Sequence, residues 1–178
     1  RYPGARPPHF VPVGLPLAEH LAWIDPAEVR RTFNLPAGLP VVLYLPFPFG
    51  AHAQSWSLRW GYRLAPWGDR AVVKAVRRYC DRHGAFLFVC ARPKVAVPGY
   101  LRQAANRFFL GDEPGEPTVL RLLTVASLLV HHMSSAVTEA VAANVPSVCI
   151  RPEGWTAYAG RSVPQQFHHG GANGWFWD

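Results

Sequence analysis

Residues Ala126–Ile150 read ASLLVHHMSSAVTEAVAANVPSVCI, and their pattern indicates the fold class most directly. This stretch places the short apolar run Leu128–Val130 before a polar turn, then a segment of helical spacing over Ser135–Ala143, then a second apolar run at Ser147–Ile150. Two short apolar runs joined by a helix are typical of parallel strands, because parallel neighbours need a crossover connection. The stretch therefore predicts a β-α-β unit.

The same alternation continues toward the amino terminus. Further strands are predicted over Val41–Leu45, Phe86–Cys90 and Phe108–Leu110. Further helices are predicted after Asp25, from Asp69 to Gly84, over Pro98–Ala105 and over Pro117–Val125. This pattern predicts an α/β fold, a Rossmann-like parallel sheet with helices on both faces.

Local signals predict where several helices begin and end. Asp25 is a predicted N-cap with Pro26 at the first helical position, and Asp69 is a second predicted N-cap. Gly84 and Asn144 are expected to end the helices that precede them. The helix after Asp69 is expected to have an apolar side, formed by Val72, Val73, Val76, Tyr79 and Cys80.

Composition indicates one domain over residues 1–150, with a Pro- and Gly-rich lead-in, and an irregular tail over residues 151–178. The sequence starts at Arg1 rather than at Met, and it ends without a helical close, so we expect it to be a fragment of a longer chain. No run of about 18 apolar residues is present, so no membrane span is predicted.

Charge and cysteine content narrow the function classes. The net charge is +7, but no run of five basic residues occurs, which argues against a nucleic-acid partner. A solvated basic face, or attraction to anionic nucleotides and lipid surfaces, explains the charge better. Cys80, Cys90 and Cys149 are far apart and form no CxxC pair, so a zinc or redox site is not predicted. Cys90 and Cys149 are expected to pack as small apolar residues, as suits a reducing cytoplasm.

Polar residues follow the predicted strand at Leu128–Val130. Ligands of open parallel sheets bind beyond the carboxyl ends of the strands, where the segment His131–Ser135 lies. Ser134 is a predicted N-cap, and its hydroxyl and the free amides of the first helical turn are expected to receive a phosphate. His132 is the candidate for contact with phosphate or acceptor, while His131 is expected to point the other way.

Glu139 follows Ser135 by four residues, so the two share one side of the predicted helix. Val137, Ala140 and Val141 are expected to face the sheet. A carboxylate one turn from a phosphate site predicts hydrogen bonds to the hydroxyls of a ribose. Ordinary helix capping by the two serines and a solvated glutamate remain the alternative interpretation.

These residues carry a resemblance to a known class of enzyme. The run Ala126–Ala140, continued by Ala143–Val148, resembles the nucleotide-binding motif of GT-B-type transferases. The nearest pattern is that of the CDP-glycerol glycerophosphotransferase and capsule glycosyltransferase families. Phe10–Pro16 resembles the lead-in to the C-terminal GT-B domain.

A second matching segment departs from the family pattern. Phe86–Lys94 resembles a strand that ends in a basic Lys-x-His-Pro element, but Cys90 stands in place of the lysine and Arg92 in place of the histidine. Arg92 and Lys94 can still supply positive charge to a phosphate, whereas the histidine's role is left without a residue.

The resemblance implies the C-terminal, donor-binding half of a GT-B fold, completed by an N-terminal domain. Ser134 and Ser135 would hold a diphosphate, Glu139 the ribose, and Arg92 with Lys94 the phosphate charge. The donor would be a nucleotide-diphosphate sugar or a CDP-polyol, and the acceptor a hydroxyl of a glycan or a lipid-linked molecule. No cofactor or metal is expected, because helix N-termini and basic residues stabilise the leaving diphosphate in such enzymes.

The implied place is the cytoplasm or the inner face of the membrane, in the synthesis of glycans or cell-surface polymers. His132 is the predicted catalytic residue of this segment, and the general base is expected in the other domain. Two alternatives stay open. One is an isomerase resembling UDP-N-acetylglucosamine 2-epimerase, although Ser134-Ser135-Ala136 stands where that family has Ser-Gly-Gly. The other is a non-catalytic Rossmann-like scaffold.

Overall fold

The computed structural model describes residues 16–46, 68–91, 97–111, 117–132, 134–150 and 175–177. Its helices are α1 (Pro16–Leu21), α2 (Pro26–Thr32), α3 (Gly68–His83), α4 (Gly99–Ala104), α5 (Thr118–Leu123) and α6 (Ala136–Ala142). Its strands are β1 (Val41–Leu45), β2 (Phe86–Ala91), β3 (Arg107–Leu110), β4 (Leu128–His131), β5 (Ser147–Ile150) and β6 (Trp175–Trp177). None of the helices in these ranges combines the length and the apolar character needed to cross a bilayer.

The six strands form one sheet in the order β3-β2-β1-β4-β5-β6, and every neighbouring pair is parallel. Along the chain, β2 is added beside β1 and β3 beside β2. The chain then crosses back, and β4 is added on the other side of β1. The predicted α/β class with a Rossmann-like parallel sheet is confirmed. The strand order reverses between β1 and β4, which is the position that defines a topological switch point.

Two apolar cores lie on the two faces of the sheet. Along β1, Val41, Leu43 and Leu45 pack into one core, which also holds buried residues of α2, α5 and α6. Val42 and Tyr44 pack into the other core, beneath α3 and α4. All five residues of β1 are buried, as expected of a central parallel strand with helices on both faces. This burial on both sides explains why the strand reads as a continuous apolar run.

Several predicted helix ends are confirmed. The Asp25 carboxylate accepts a hydrogen bond of 2.8 Å from the Ala27 amide at the start of α2. Gly84 has a φ of +61° and Asn144 a φ of +55°, so both adopt the left-handed conformation that ends a helix. The Val145 amide then donates to the Ala140 carbonyl at 2.8 Å, which satisfies a free acceptor of α6.

Two side chains on helices differ from their predicted placement. Val141 was expected to face the sheet but is 52 % exposed, because Ala136, Val137 and Ala140 already form the inward side of α6. Tyr79 was expected on the apolar side of α3 but is 47 % exposed, and its ring packs on His83 with 4.5 Å between ring centroids. Asp69 lies inside α3 rather than before it, since the helix begins at Gly68.

Two elements were not predicted. The lead-in contains the helix α1 as well as α2, and Trp175–Trp177, inside the predicted irregular tail, forms the strand β6 beside β5. Three residues are too few to show a period in the sequence. The boundary at residue 150 stays a prediction, although one strand from beyond it belongs to the sheet.

Candidate functional site

The carboxyl ends of β1 and β4 meet at the switch point. Leu45, the last residue of β1, lies opposite His131, the last residue of β4. Ligands of open α/β sheets bind in the crevice outside the strand ends at such a point. The segment that the sequence singled out therefore begins at the place in this fold where a ligand site is expected.

His131 and His132 lie on opposite faces of the sheet, because successive residues of a strand alternate. His132 lies on the face of Tyr44, and its Nε2 is 2.9 Å from the Tyr44 hydroxyl. The two rings meet edge to face, with 5.9 Å between their centroids. Tyr44 is fully buried and His132 is 7 % exposed, so this polar pair is enclosed. The prediction that His131 points the other way is confirmed.

His131 positions the turn that follows β4. The residue is 0 % exposed, and its Nδ1 accepts a hydrogen bond of 3.1 Å from the Ser134 amide. A neutral ring that accepts at Nδ1 carries its proton on Nε2, and this atom has no acceptor among the described residues. Burial, followed by the nearby His132, lowers the pKa of His131 to about 4. The neutral ring therefore holds the turn at neutral pH.

The two serines differ from their predicted arrangement. Helix α6 begins at Ala136, so Ser135 rather than Ser134 occupies the N-cap position, and its side chain makes no capping bond. The capping bond comes from the Ser134 Oγ, which accepts from the Ala136 amide at 3.3 Å. The Ser134 hydroxyl keeps its own proton to donate.

The first-turn amides were expected to be free for a phosphate, and several are not. The amides of Ser134 and Ala136 donate to the His131 ring and the Ser134 hydroxyl. Those of Val137 and Thr138 donate to the carbonyls of Ser134 and Ser135. The tight turn satisfies these donors internally, while the Ser135 side chain is exposed.

Glu139 lies on the same side of α6 as Ser135, about 40° away around the helix axis by ideal helical geometry. It is half-buried, whereas Ala136, Val137 and Ala140 face the core. Ser134, Ser135, Glu139 and His131 thus lie around the start of one short helix, whereas His132 lies with Tyr44 on the opposite face of the sheet. Arg92, Lys94 and Met133 lie outside the described residues.

Tyr44 belongs to the site, although the sequence analysis did not indicate it. It is a phenol in a strand that is otherwise aliphatic, one residue before that strand's carboxyl end. A polar tip in a continuous apolar run was the available signal, since a buried tyrosine hydroxyl usually has a hydrogen-bond partner.

The described ranges contain no group of three or more His, Cys, Asp and Glu side chains arranged to hold a metal ion. Cys80, Cys90 and Cys149 are buried thiols, which confirms the packing predicted for the last two. Burial raises the pKa of Cys80 to about 11, against the opposing charge of Arg77, so this thiol is unreactive at neutral pH.

Comparisons with known proteins give likenesses to parts of longer chains. No protein-family model matches the sequence, and no curated protein matches it. The KpsC beta Kdo 2,7 transferase of Thermosulfurimonas dismutans is similar at 15 % identity and a TM-score of 0.41, over 75 % of this chain and 41 % of that one. The wall teichoic acid polymerase TagF is similar at 15 % identity and a TM-score of 0.37, over 74 % of this chain and 29 % of that one.

A third similar structure is that of a putative UDP-N-acetylglucosamine 2-epimerase from Listeria monocytogenes, at 12 % identity and a TM-score of 0.41. The alignment covers 83 % of this chain and 34 % of that one. The chain therefore spans less than half the length of each of these proteins. Its assignment as a Rossmann-like domain rests on the strand order and parallel registers of its own sheet.

Proposed function

We propose that the chain binds a nucleotide-diphosphate donor at the switch point, as the donor-binding half of a glycosyl or polyol-phosphate transferase. The observation that carries the proposal is the position of the polar cluster. Ser134, Ser135 and Glu139 follow directly from the end of β4, beside the point where the strand order reverses.

The described groups suit a diphosphate and a ribose at neighbouring positions. The Ser134 and Ser135 hydroxyls would donate to phosphate oxygens, and the Glu139 carboxylate would accept from the ribose hydroxyls about one helical turn away. Arg92 and Lys94 would add positive charge. Most of the catalysis would be electrostatic stabilisation of the departing diphosphate by these fixed donors, so the proposal involves no metal or cofactor.

His132 is proposed as a positioning residue. The sequence suggested contact with phosphate or acceptor, but its Nε2 faces the Tyr44 hydroxyl and its Nδ1 is buried. An imidazole held in this way fixes the end of β4 against β1, and through it the turn that carries the serines. A direct catalytic role for His132 stays a prediction.

The remaining parts of the proposal concern the whole enzyme. The acceptor is a hydroxyl of a glycan or a lipid-linked molecule, and a further domain supplies the general base. The setting is the cytoplasm or the inner face of the membrane, where cell-surface polymers are made.

Calorimetry with UDP, CDP, GDP, ADP and CMP tests the proposal. Selective binding of one diphosphate is expected, with affinity about 10- to 100-fold lower in Glu139→Gln, because a hydrogen bond to a charged group is lost. Glu28→Gln is the matched control, since Glu28 is exposed on α2, and it is expected to bind like the parent chain.

Two outcomes would contradict the proposal. If the folded chain binds none of these nucleotides, the scaffold interpretation is favoured. If Glu139→Gln and Glu28→Gln bind equally well, the ribose assignment is wrong even though a nucleotide binds.

A further inference from the structure

One helical layer carries an exposed row of cations, which we name the basic face. It consists of five basic residues, all exposed: Arg70, Lys74, Arg78 and Arg82 of α3 and Arg102 of α4. The sequence showed these residues only as scattered charges. The fold gathers them, because α3 and α4 pack side by side over the same core.

The helical period explains the row on α3. Its four members follow one another at intervals of four residues, so they wind slowly around the outer side of the helix and span about 18 Å along its axis. Val73, Val76 and Cys80 occupy the inner side and are buried. The apolar side of α3 is therefore buried in the core, and its outer side presents exposed basic side chains.

Asp81, an acidic residue of α3, already has a cationic partner outside the basic face. Arg77, next to the row, is the cation that is neutralised: it pairs with Asp81 at 2.5 Å and donates to the Asn106 side chain at 2.6 Å. Among the side chains that the structure describes, no carboxylate lies within ion-pair distance of a member of the basic face. Like charges four residues apart on a helix repel each other, so an anionic partner would relieve a cost that the free chain carries.

Aromatic rings support the cations at one end of the layer. The Arg70 guanidinium lies 5.9 Å from the Tyr100 ring centre, and that of Arg102 lies 4.4 Å from the Phe108 ring centre. Such stacking orients a guanidinium without neutralising it. Beside the row, the exposed ring of Tyr79 packs on His83, which places an aromatic group with a polar tip among the cations.

We propose that the basic face docks the chain on the surface of an anionic lipid bilayer. Two helices side by side form a broad surface, wider than the major groove of duplex DNA, which is about 12 Å wide and admits a single helix. A bilayer is planar and carries a negative surface potential that attracts clustered basic residues. A tyrosine among the cations fits the headgroup region, where such rings are enriched.

Docking through this layer is independent of nucleotide binding. The basic face lies on the helices that cover one side of the sheet, whereas the switch-point crevice opens at the carboxyl ends of the strands. A chain bound in this way keeps the crevice open to the aqueous phase.

Co-sedimentation with vesicles tests the proposal. The chain is expected to bind vesicles of phosphatidylcholine mixed with phosphatidylserine, to bind phosphatidylcholine vesicles far more weakly, and to dissociate as salt rises. Lys74→Gln/Arg78→Gln is expected to weaken partitioning roughly 25-fold, because each basic residue near an anionic surface contributes about a fivefold factor.

Arg31→Glu is the matched control. It lowers the net charge by the same amount as the double variant, but Arg31 is an exposed residue of α2, on the opposite face of the sheet. The control is expected to bind vesicles like the parent chain, and thermal unfolding of all three proteins checks that each is folded.

Three results would overturn the proposal. The parent chain could fail to bind the anionic vesicles, or Arg31→Glu could weaken binding as much as the double variant, which would show an effect of net charge alone. Alternatively, a duplex oligonucleotide could bind more tightly than the vesicles and be lost in the double variant, which would make the basic face a nucleic-acid surface.

Discussion

The Tyr44 hydroxyl and the Nε2 atom of His132 lie 2.9 Å apart, although 88 positions separate the two residues in the sequence. Tyr44 lies on β1, the last strand of the half β3-β2-β1, and His132 directly follows β4, the first strand of the half β4-β5-β6. The two residues meet where these halves of the sheet join. Both are buried, so each supplies the other with a polar contact that solvent cannot replace. The pair therefore links the stability of the domain to the shape of its candidate site.

Tyr44→Phe removes the hydroxyl and leaves the ring in place. We expect the free energy of unfolding to fall by about 1–3 kcal/mol, because the His132 nitrogen loses this contact inside the core. Urea denaturation measures the loss. In the double variant Tyr44→Phe/His132→Phe the two losses should not add, since both single variants break the same contact.

Tyr79→Phe is the control for that experiment. The Tyr79 ring is on the surface, so the same change is expected to alter the free energy of unfolding by less than about 0.5 kcal/mol. If the two substitutions lowered the free energy of unfolding equally, the contact of Tyr44 with His132 would make no specific contribution to stability.

We expect His131 to make the chain sensitive to acid. Burial lowers its pKa to about 4 in the folded chain, against 6.5 for an unperturbed ring. Between these values the unfolded state binds more protons than the folded state. The stabilisation is thus complete above pH 6.5 and is lost as the pH falls toward 4, by about 3 kcal/mol at most.

Urea denaturation over this pH range checks the prediction. His131→Gln cannot titrate, and its side-chain oxygen can accept from the Ser134 amide, so its stability should fall less steeply between pH 6.5 and 4. His83→Gln changes an exposed ring and should keep the steep fall. A slope that is the same in all three proteins would assign the acid sensitivity to other groups.

Asn106 ties β2 to the start of β3. Its backbone N–H donates to the Leu87 carbonyl at 3.0 Å, and its side-chain oxygen accepts from the Leu87 backbone N–H at 2.8 Å. Asn106→Ala leaves the Leu87 amide without this acceptor and should cost about 1–3 kcal/mol of unfolding free energy. Thermal or urea unfolding measures the cost, and Gln103→Ala, at an exposed position of α4, should change little.

Asn106→Asp separates the hydrogen bond from other effects of the substitution. An aspartate keeps an acceptor for Leu87 and faces Arg77, which already donates to this position. It should retain most of the stability. A loss as large as that of the alanine variant would contradict the role given to the side-chain oxygen.

Gly84 and Gly99 test backbone conformation without a change in packing. A Cβ atom would meet nothing within 4 Å at either position, but Gly84 has a φ of +61°. Gly84→Ala should therefore cost about 1–2 kcal/mol from the left-handed conformation alone. Gly99→Ala, at the start of α4, should be neutral or slightly stabilising. Thermal unfolding of the two variants measures the difference. Equal changes in stability would be inconsistent with a conformational cause at Gly84.

Much of the fold was predictable because the central strands are buried on both faces. Burial of all of Val41–Leu45 requires a continuous apolar run, which the sequence shows directly. Helix ends were predictable where one residue type has a specific local role, as with Asp25 as an N-cap and Gly84 at positive φ. These signals are local and need no knowledge of the partner elements.

The remaining features depend on contacts that spacing does not show. The apolar character of Val141 and Tyr79 predicted burial, but neighbours on the same helices had already filled the inward side. The His131 ring takes up the Ser134 amide, which the sequence assigned to a ligand. The contact of Tyr44 with His132 depends on the order of the strands, which a single sequence does not specify.

The position of β4 beside β1 also affects how the chain folds and unfolds. Strands β1, β2 and β3 follow one another in sequence, whereas the pairing of β1 with β4 closes a long loop and is entropically costly to form early. The seam between the two halves is thus a natural place for a late folding step. A ligand that bridges the crevice would hold this seam closed, so that occupancy would lengthen the lifetime of the native state.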